Sequence, residues 1–297
     1  MENNNHKLTK PVFIICQHRT GSTFLKNLID NHPDIHMVSE EMDIADPWRK
    51  TLLHIVKKFY SNVDVLLEKI YEGKFHGTYF DKKKLIDEGI DRKCIKNKIG
   101  NDVDLYKVFS AILNCILIKT DKHRIGVKFP LHWKKIHMLF NFYPDAKVIF
   151  LVRDPRAMIS SKLQHRDTKR RKKQYKVISP FIHIVTVFFF VYEFITFYKT
   201  YVRNKNNKNV KLVFYENLVT EIDFEIDEIL NFCDLDCNKY DYSKIIITHG
   251  QPSSTTGNII KGQKNMNTDW QKRLTKFDKF FINLFISPIM KKYGYKN

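Results

Sequence analysis

Cysteine is scarce in this chain, and the patterns missing around it narrow the field. The five cysteines, Cys16, Cys94, Cys115, Cys233 and Cys237, form no CxxC pair, and no histidine pattern accompanies them that would suggest zinc. An odd, sparse set predicts reduced thiols in a reducing compartment. Residues 1–10 are a polar tail, and apolar sequence starts only at Pro11. Neither a signal peptide nor an N-terminal anchor is therefore expected, and the chain reads as cytoplasmic or membrane-peripheral. No internal repeat and no domain linker breaks the 297 residues, which predicts a single domain over residues 11–297. Acidic residues are the minority: 51 Lys+Arg face 32 Asp+Glu, a formal net charge of +19. That surplus calls for an anionic partner without choosing among a nucleotide, a nucleic acid, an acidic glycan and a membrane surface. At 43% hydrophobic and 13% aromatic, the composition is that of a folded globular protein.

Long apolar runs are also lacking, with one near exception. Residues 177–192 carry no Asp, Glu, Lys or Arg. The stretch falls short of the roughly 18–20 residues that a spanning helix needs, and it contains Pro180 and His183. It is expected as a buried core helix. The second reading is a peripheral membrane contact through residues 169–202, because Lys169, Arg170, Arg171, Lys172 and Lys173 precede the apolar stretch.

Short apolar runs at residues 11–16, 147–152 and 211–215 read as buried parallel strands, with a weaker one at 124–128. Helical patterns separate them, at 23–31, 105–118, 133–142, 156–165, 181–201 and 225–232. Alternating strands and helices imply an α/β fold with a central parallel sheet flanked by helices. In such sheets ligands bind beyond the carboxyl ends of the strands. Residues 42–104, with Gly73, Gly77, Gly89 and Gly100, break the rhythm and are expected as a helical lid insertion. Residues 253–267 read as a mobile loop, and a last helix is expected over 270–290 with a break near Pro288.

The first strand runs into Gln17-His18-Arg19-Thr20-Gly21-Ser22-Thr23 and then a helix. Such a turn aims backbone N–H groups and the positive helix end at one point, which suits a phosphate. Ser22 and Thr23 are placed to cap that helix and to donate hydroxyls to the same anion. This is not a Walker A loop, since no GxxxxGK[ST] occurs and the cation precedes the glycine. Alone, the pattern equally fits an ordinary capped turn. A second segment supports it: Val152-Arg153-Asp154-Pro155 follows a strand, with Asp154 as a natural N-cap, Pro155 suited to the first helical position and Ser161 eight residues beyond Arg153.

Together the two segments resemble the nucleotide-binding motifs of the sulfotransferases that use 3′-phosphoadenosine 5′-phosphosulfate (PAPS). The first is similar to their 5′-phosphosulfate loop in the arginine-containing form of the carbohydrate and tyrosylprotein branch. The second is similar to their 3′-phosphate motif. Gly126-Val127-Lys128-Phe129-Pro130 resembles the family's lysine-x-proline element, and Phe214-Tyr215-Glu216-Asn217-Leu218 its tyrosine-glutamate segment, whose tyrosine contacts the adenine side. Lys261-Gly262 ahead of Trp270, and the closing Tyr293-Gly294-Tyr295, fit its C-terminal pattern loosely.

The resemblance implies a P-loop-type fold and transfer of a sulfuryl group from PAPS to a hydroxyl or amine, with 3′-phosphoadenosine 5′-phosphate (PAP) as product and no metal. It implies that Arg19, Thr20, Gly21, Ser22, Thr23, Arg153, Ser161, Tyr215, Lys261 and Gly262 hold the nucleotide, and that Arg19 and Lys128 serve catalysis as cations. Lys128 reads equally as a surface lysine at a strand end. The histidine-proline-aspartate turn at His32-Pro33-Asp34 leads to a catalytic glutamate in tyrosylprotein sulfotransferases, which falls on Glu40, with Glu41 the alternative. His18, His32, His36 and His132 are further basic groups, each more readily structural, with His132 kept as a base because small-molecule sulfotransferases use a histidine. The acceptors implied are a carbohydrate, a glycolipid or a tyrosine-containing peptide. Two rivals stand beside this reading. A P-loop kinase would need a Lys-Ser/Thr pair and a carboxylate for Mg²⁺ after the loop, where Phe24 and Leu25 stand. A nucleic-acid or polyanion binder would rest on charge alone, without a recognisable module.

Overall fold

The computed structural model describes residues 8–41, 44, 52–59, 62–71, 90–99, 103–130, 132–165, 179–249, 254–256, 259–264, 269–293 and 295. Five strands make the main sheet: β1 (Val12–Cys16), β2 (Ile35–Glu41), β3 (Arg124–Phe129), β4 (Lys147–Val152) and β5 (Val210–Phe214), in the order β2-β3-β1-β4-β5. Every pairing is parallel. β1 and the last five residues of β4 are buried throughout, which is why their sequences are continuous apolar runs rather than alternating ones. The expected α/β architecture with a central parallel sheet is present.

Helices cover both faces. α1 (Ser22–Asp30) follows β1. In the region of the expected insertion lie α2 (Leu52–Phe59), α3 (Val63–Tyr71) and α4 (Arg92–Ile99), followed by α5 (Leu105–Thr120). Most of the rest of 42–104, including Gly73, Gly77, Gly89 and Gly100, lies outside the described residues. The turn His132–Lys135 and α6 (Ile136–Phe142) lead to β4, and α7 (Pro155–Gln164) leaves it. Then come α8 (Ser179–Asn204), α9 (Tyr215–Thr220) and α10 (Ile222–Phe232). One apolar cluster, with Phe13, Phe109, Phe129 and Phe150, joins one sheet face to α2–α5 and α8. A second, with Phe24, Leu28 and Ile229, packs α1 and α10 on the other face.

The structure departs from the sequence reading in four places. Residues 253–267 contain β7 (Ser254–Thr256) and β8 (Ile259–Lys264), which join β6 (Ile245–His249) in a small sheet ordered β6-β8-β7. Ser254–Thr256 is wholly polar and β8 has only Ile259 and Ile260 ahead of polar residues, so neither shows the apolar pattern of a strand. The last helix breaks at Leu274–Thr275, giving α11 (Trp270–Arg273) and α12 (Lys276–Lys292), because Thr275 and Asp278 form a reciprocal capping box that restarts it. Pro288 sits inside α12 without ending it. The expectation of five reduced thiols fails as well. α4 packs on α5 and brings Cys94 and Cys115 to a Cα separation of 6.1 Å, where they are joined by a disulfide, while Cys16, Cys233 and Cys237 stay outside any disulfide. Finally, residues 177–192 do not form a buried helix: the described part belongs to α8, with Phe181, Phe188, Phe189 and Tyr192 all more than half exposed.

Candidate functional site

The carboxyl ends of β1, β3, β4 and β5 lie side by side, and each carries one residue of the expected site. The chain leaves β1 for β2 at one edge and later adds β4 on β1's other flank, so β1 is where the strand order reverses. The loop after β1 turns on two residues with positive φ, Arg19 at 73° and Gly21 at 90°. The second is open only to glycine at no steric cost. Holding a non-glycine residue such as Arg19 there costs free energy, and such residues gather at functional sites.

Gly21, not Ser22 or Thr23, occupies the N-cap of α1, and no side chain caps that helix. The expected hydroxyl caps are therefore corrected. Ser22 begins the helix proper, with the Phe24 N–H turned back onto the Gly21 carbonyl at 2.9 Å and the positive end of the helix at the turn. The neighbouring hydroxyls have other duties. Thr20 donates to the Gln17 carbonyl at 2.8 Å, and Thr23 accepts from the Lys128 ammonium at 3.2 Å. Lys128 is only 5% exposed, so the surface-lysine alternative does not hold.

The arginines tie the loops together. The Arg19 Nε–H donates to the Ser161 hydroxyl at 3.1 Å, across 142 residues of sequence. Arg153, buried at the end of β4, donates to the Arg19 carbonyl at 3.2 Å and stacks its guanidinium 4.6 Å from the centre of the Tyr215 ring. Burial pulls the Arg153 guanidinium below its usual pKa, against the opposing pull of Tyr215, Glu216 and Asp154. An arriving phosphate would return the charge compensation that desolvation removed. Tyr215 in turn fills the space beside Gly21, where a Cβ would come within 2.2 Å of its ring. Arg19, Thr20, Gly21, Ser22, Thr23, Lys128, Arg153, Ser161 and Tyr215 thus form one connected cluster.

Three supports escaped the sequence reading. Asp154 caps α7 as expected, accepting from the Arg156 N–H, but it also holds the Arg156 guanidinium, which stacks on Trp270 at 4.4 Å. Glu216 accepts from the Asp154 N–H at 2.9 Å and from the Tyr295 hydroxyl at 2.7 Å, which fastens β4's end to the C-terminus. Their order in sequence, Tyr-Glu after a strand and a closing Tyr, was visible, but their partners were not. Gln17 is the third: it is buried straight after β1, and its side-chain amide has no hydrogen-bond partner among the described residues. A bound ligand is one way to satisfy such a group.

The remaining candidates separate. Lys261 and Gly262 lie on β8, which packs against α1 and α9, the helices that begin at the cluster. Glu40 and Glu41 end β2, and the sheet register sets Glu41 opposite Lys128 after an irregularity beyond Met37. His32 is buried, with Nδ1 accepting from the Asp34 N–H and Nε2 donating to the Asp236 carbonyl. His36 lies 3.6 Å from the Asp30 carboxylate. His132 is buried, stacked on Phe129 and bonded to the Tyr106 hydroxyl at 3.0 Å. Burial, aided by Lys135 and His137, pushes its pKa down to about 3. The ring is thus held within the core by Phe129 and Tyr106. A surface cavity of about 380 Å³ lies elsewhere, between α3 and α4, lined by Asp64, Glu68, Arg92 and Lys96 and by none of the cluster residues.

The sequence model of the family described as the sulfotransferase family matches residues 11–239. No curated protein matches the chain by sequence. Among solved structures, the sulfotransferase domain of the curacin biosynthetic pathway aligns with a TM-score of 0.57 and 14% identity, over 98% of this chain and 99% of that one. A Mycobacterium avium sulfotransferase gives 0.53 and 10%, over 97% and 78%. The sulfotransferase domain of the Synechococcus PCC 7002 olefin synthase gives 0.51 and 17%, over 100% and 98%. At such identities these likenesses speak for the fold.

Proposed function

Because the chain belongs to the family of PAPS-dependent sulfotransferases, and is therefore an enzyme that transfers sulfuryl groups, we propose that the cluster at the carboxyl ends of β1, β3, β4 and β5 is its donor site. The observation that carries the assignment is the bridge between the two nucleotide segments. Arg19 reaches Ser161, and Arg153 reaches the Arg19 carbonyl, so one ligand with two phosphates can engage both. On this reading Arg153 and Ser161 hold the 3′-phosphate. The N-terminus of α1, with Thr20, Gly21, Ser22 and Thr23, holds the 5′-phosphosulfate. Tyr215 borders the adenine side, and Lys261-Gly262 closes over the nucleotide.

Transfer is an in-line displacement at sulfur, for which positioning and charge stabilisation supply most of the catalysis. The acceptor oxygen forms the new S–O bond while the bond from sulfur to the bridging phosphate oxygen breaks. Negative charge grows on that bridging oxygen as PAP departs. Arg19 is assigned to meet it, and Lys128, fixed by Thr23, to hold the sulfuryl oxygens. The acceptor's proton goes to Glu40, with Glu41 the alternative base, since its register partner is Lys128. The resemblance of residues 31–41 to the tyrosylprotein branch favours a carbohydrate, glycolipid or tyrosine hydroxyl as acceptor. No metal takes part in this scheme, because fixed cations and backbone amides neutralise the donor.

Transfer from ³⁵S-labelled PAPS to a panel of sugar, glycolipid, peptide and phenol acceptors tests the proposal. Label should pass to at least one class without added Mg²⁺, and Arg19→Ala should lower kcat by roughly 10²-fold or more. Wild-type kcat in Arg19→Ala would remove this arginine from the mechanism.

A further inference from the structure

α8 is 26 residues long, and its two halves have different surroundings. The second half belongs to the core. Phe194 and Phe197 are buried, Phe197 meets Trp133 and Phe150, and the Glu193 carboxylate is buried against the Lys162 ammonium at 2.6 Å. The first half faces outward. Phe181, Ile184, Val185, Phe188, Phe189 and Tyr192 are 43–68% exposed, and their spacing of three and four residues puts them on one stripe. α12 repeats the pattern with Phe277, Phe280, Leu284 and Phe285, 43–65% exposed. The stripes adjoin: the Phe281 ring of α12 lies 5.9 Å from that of Phe188 and 4.8 Å from that of Phe285, and His183 of α8 bonds Asp278 of α12 at 2.7 Å.

Seven of these ten side chains are aromatic. At half exposure they leave bare roughly 700 Å², more than the largest apolar patch of an ordinary monomer. The charges around the patch indicate what covers it. From Trp270 to Asn297 the sequence has seven Lys/Arg and a single acidic residue, Asp278, which is 1% exposed and already engaged by His183 and Thr275. Glu193, the only acidic residue of α8, is buried and paired. No carboxylate of α8, α11 or α12 is therefore left to face the solvent, and Asp269, just ahead of α11, is paired with Arg273, while Lys272, Arg273 and Lys276 are exposed. The sequence entering α8 has the same sign, with five consecutive basic residues at 169–173.

We propose that this two-helix face docks on an anionic lipid surface, with α8 and α12 lying in the interface plane. Bare aromatic side chains suit the acyl boundary, and a lysine rim free of unpaired acids suits anionic headgroups. A second copy of the chain would bring the same lysines and the same +19 charge against them, which opposes self-association. α8 is long and apolar enough to cross a bilayer. Its Val187, Val191, Phe194 and Phe197 are committed to the core, so it rests on the membrane rather than spanning it.

Flotation of the full chain with vesicles tests this, since it needs neither donor nor acceptor and so stands apart from the enzymatic reading. Vesicles of phosphatidylcholine mixed with phosphatidylserine should bind the protein, phosphatidylcholine alone should bind it less, and salt should weaken the difference. Phe188→Glu with Phe280→Glu should reduce partition by roughly tenfold or more while PAP binding is unchanged. Lys272→Glu with Lys276→Glu should abolish only the preference for phosphatidylserine. Absence of binding to either vesicle would overturn the proposal. So would a concentration-dependent dimer, seen by light scattering, that the phenylalanine substitutions dissolve while vesicles go unbound.

Discussion

Gly21→Ala adds one methyl group, and the structure determines where it must go. Its carbon would lie 2.2 Å from Cδ2 and 2.4 Å from Cε2 of Tyr215, far inside van der Waals contact. The ring has little room to yield, since it is 3% exposed and carries the Arg153 guanidinium on its face. The backbone adds a second cost: at a φ of +90° an L-residue loses about 1–2 kcal/mol. Overpacking of this kind costs about 1–3 kcal/mol more, for a total of roughly 2–5 kcal/mol. Two outcomes share that total. If the fold absorbs it, Tm falls by about 2–4 °C per kcal/mol. If the loop moves aside instead, the fold survives, Arg153 and the α1 N-terminus lose their alignment, and PAP affinity drops by roughly 30-fold or more. Thermal unfolding and isothermal titration with PAP on the same variant separate the two. Tyr215→Ala in the same chain should relieve the overlap, with a coupling energy of about 1–3 kcal/mol between the two sites. A Gly21→Ala protein with wild-type Tm and wild-type PAP affinity would refute the proposed geometry of the loop.

Three more expectations come from other parts of the structure. Glu40→Gln should lower kcat by roughly 10²–10⁴-fold with PAP binding intact; an active Glu40→Gln beside an inactive Glu41→Gln would move the base one residue along. Reduction of Cys94–Cys115, which spans 21 residues, should cost about 3 kcal/mol of stability, and Cys94→Ser with Cys115→Ser should match it in thermal melts; alkylation of five cysteines rather than three in the unfolded, unreduced chain, read by mass spectrometry, would contradict the pairing. His132 is held neutral with a pKa of about 3, so its contribution is full above the unfolded value near 6.5 and is lost as pH falls from there towards 3. Denaturant titrations should therefore show the gap between wild type and His132→Gln narrowing over that range, and a gap independent of pH would overturn it.

The parts of the fold legible in the sequence were those fixed by local pattern. β1 and the last five residues of β4 are unbroken apolar runs buried on both faces, and Asp154-Pro155 announces α7 by its own chemistry. β2 was read only as the stretch leading to Glu40, because His36, Ser39 and Glu41 interrupt its apolar residues and its strand character comes from pairing with β3. Polar residues likewise obscure β7 and β8, whereas β6 carries a legible Ile245-Ile246-Ile247 run. For α8, composition announced a helix but not its environment: which stripe is covered depends on α12, some hundred residues away in the sequence. The cluster proposed as the donor site was legible because its residues follow strands in a fixed order. Its internal bonds, Arg19 to Ser161 and Lys128 to Thr23, needed the sheet order to bring distant loops together. No spacing rule foretold Cys94 with Cys115, since their approach depends on how α4 packs against α5.

The most direct test of the donor site is isothermal titration of the wild-type protein with PAP and with 5′-AMP, which lacks the 3′-phosphate, in the absence of metal. With Arg153 and Ser161 on that phosphate, PAP should bind in the micromolar range or tighter, and AMP more weakly by roughly 10-fold or more. Arg153→Ala should erase most of the difference by weakening PAP alone. Equal affinities of the wild-type protein for the two nucleotides would contradict a 3′-phosphate site at the end of β4, and with it the assignment of this cluster as the PAPS site.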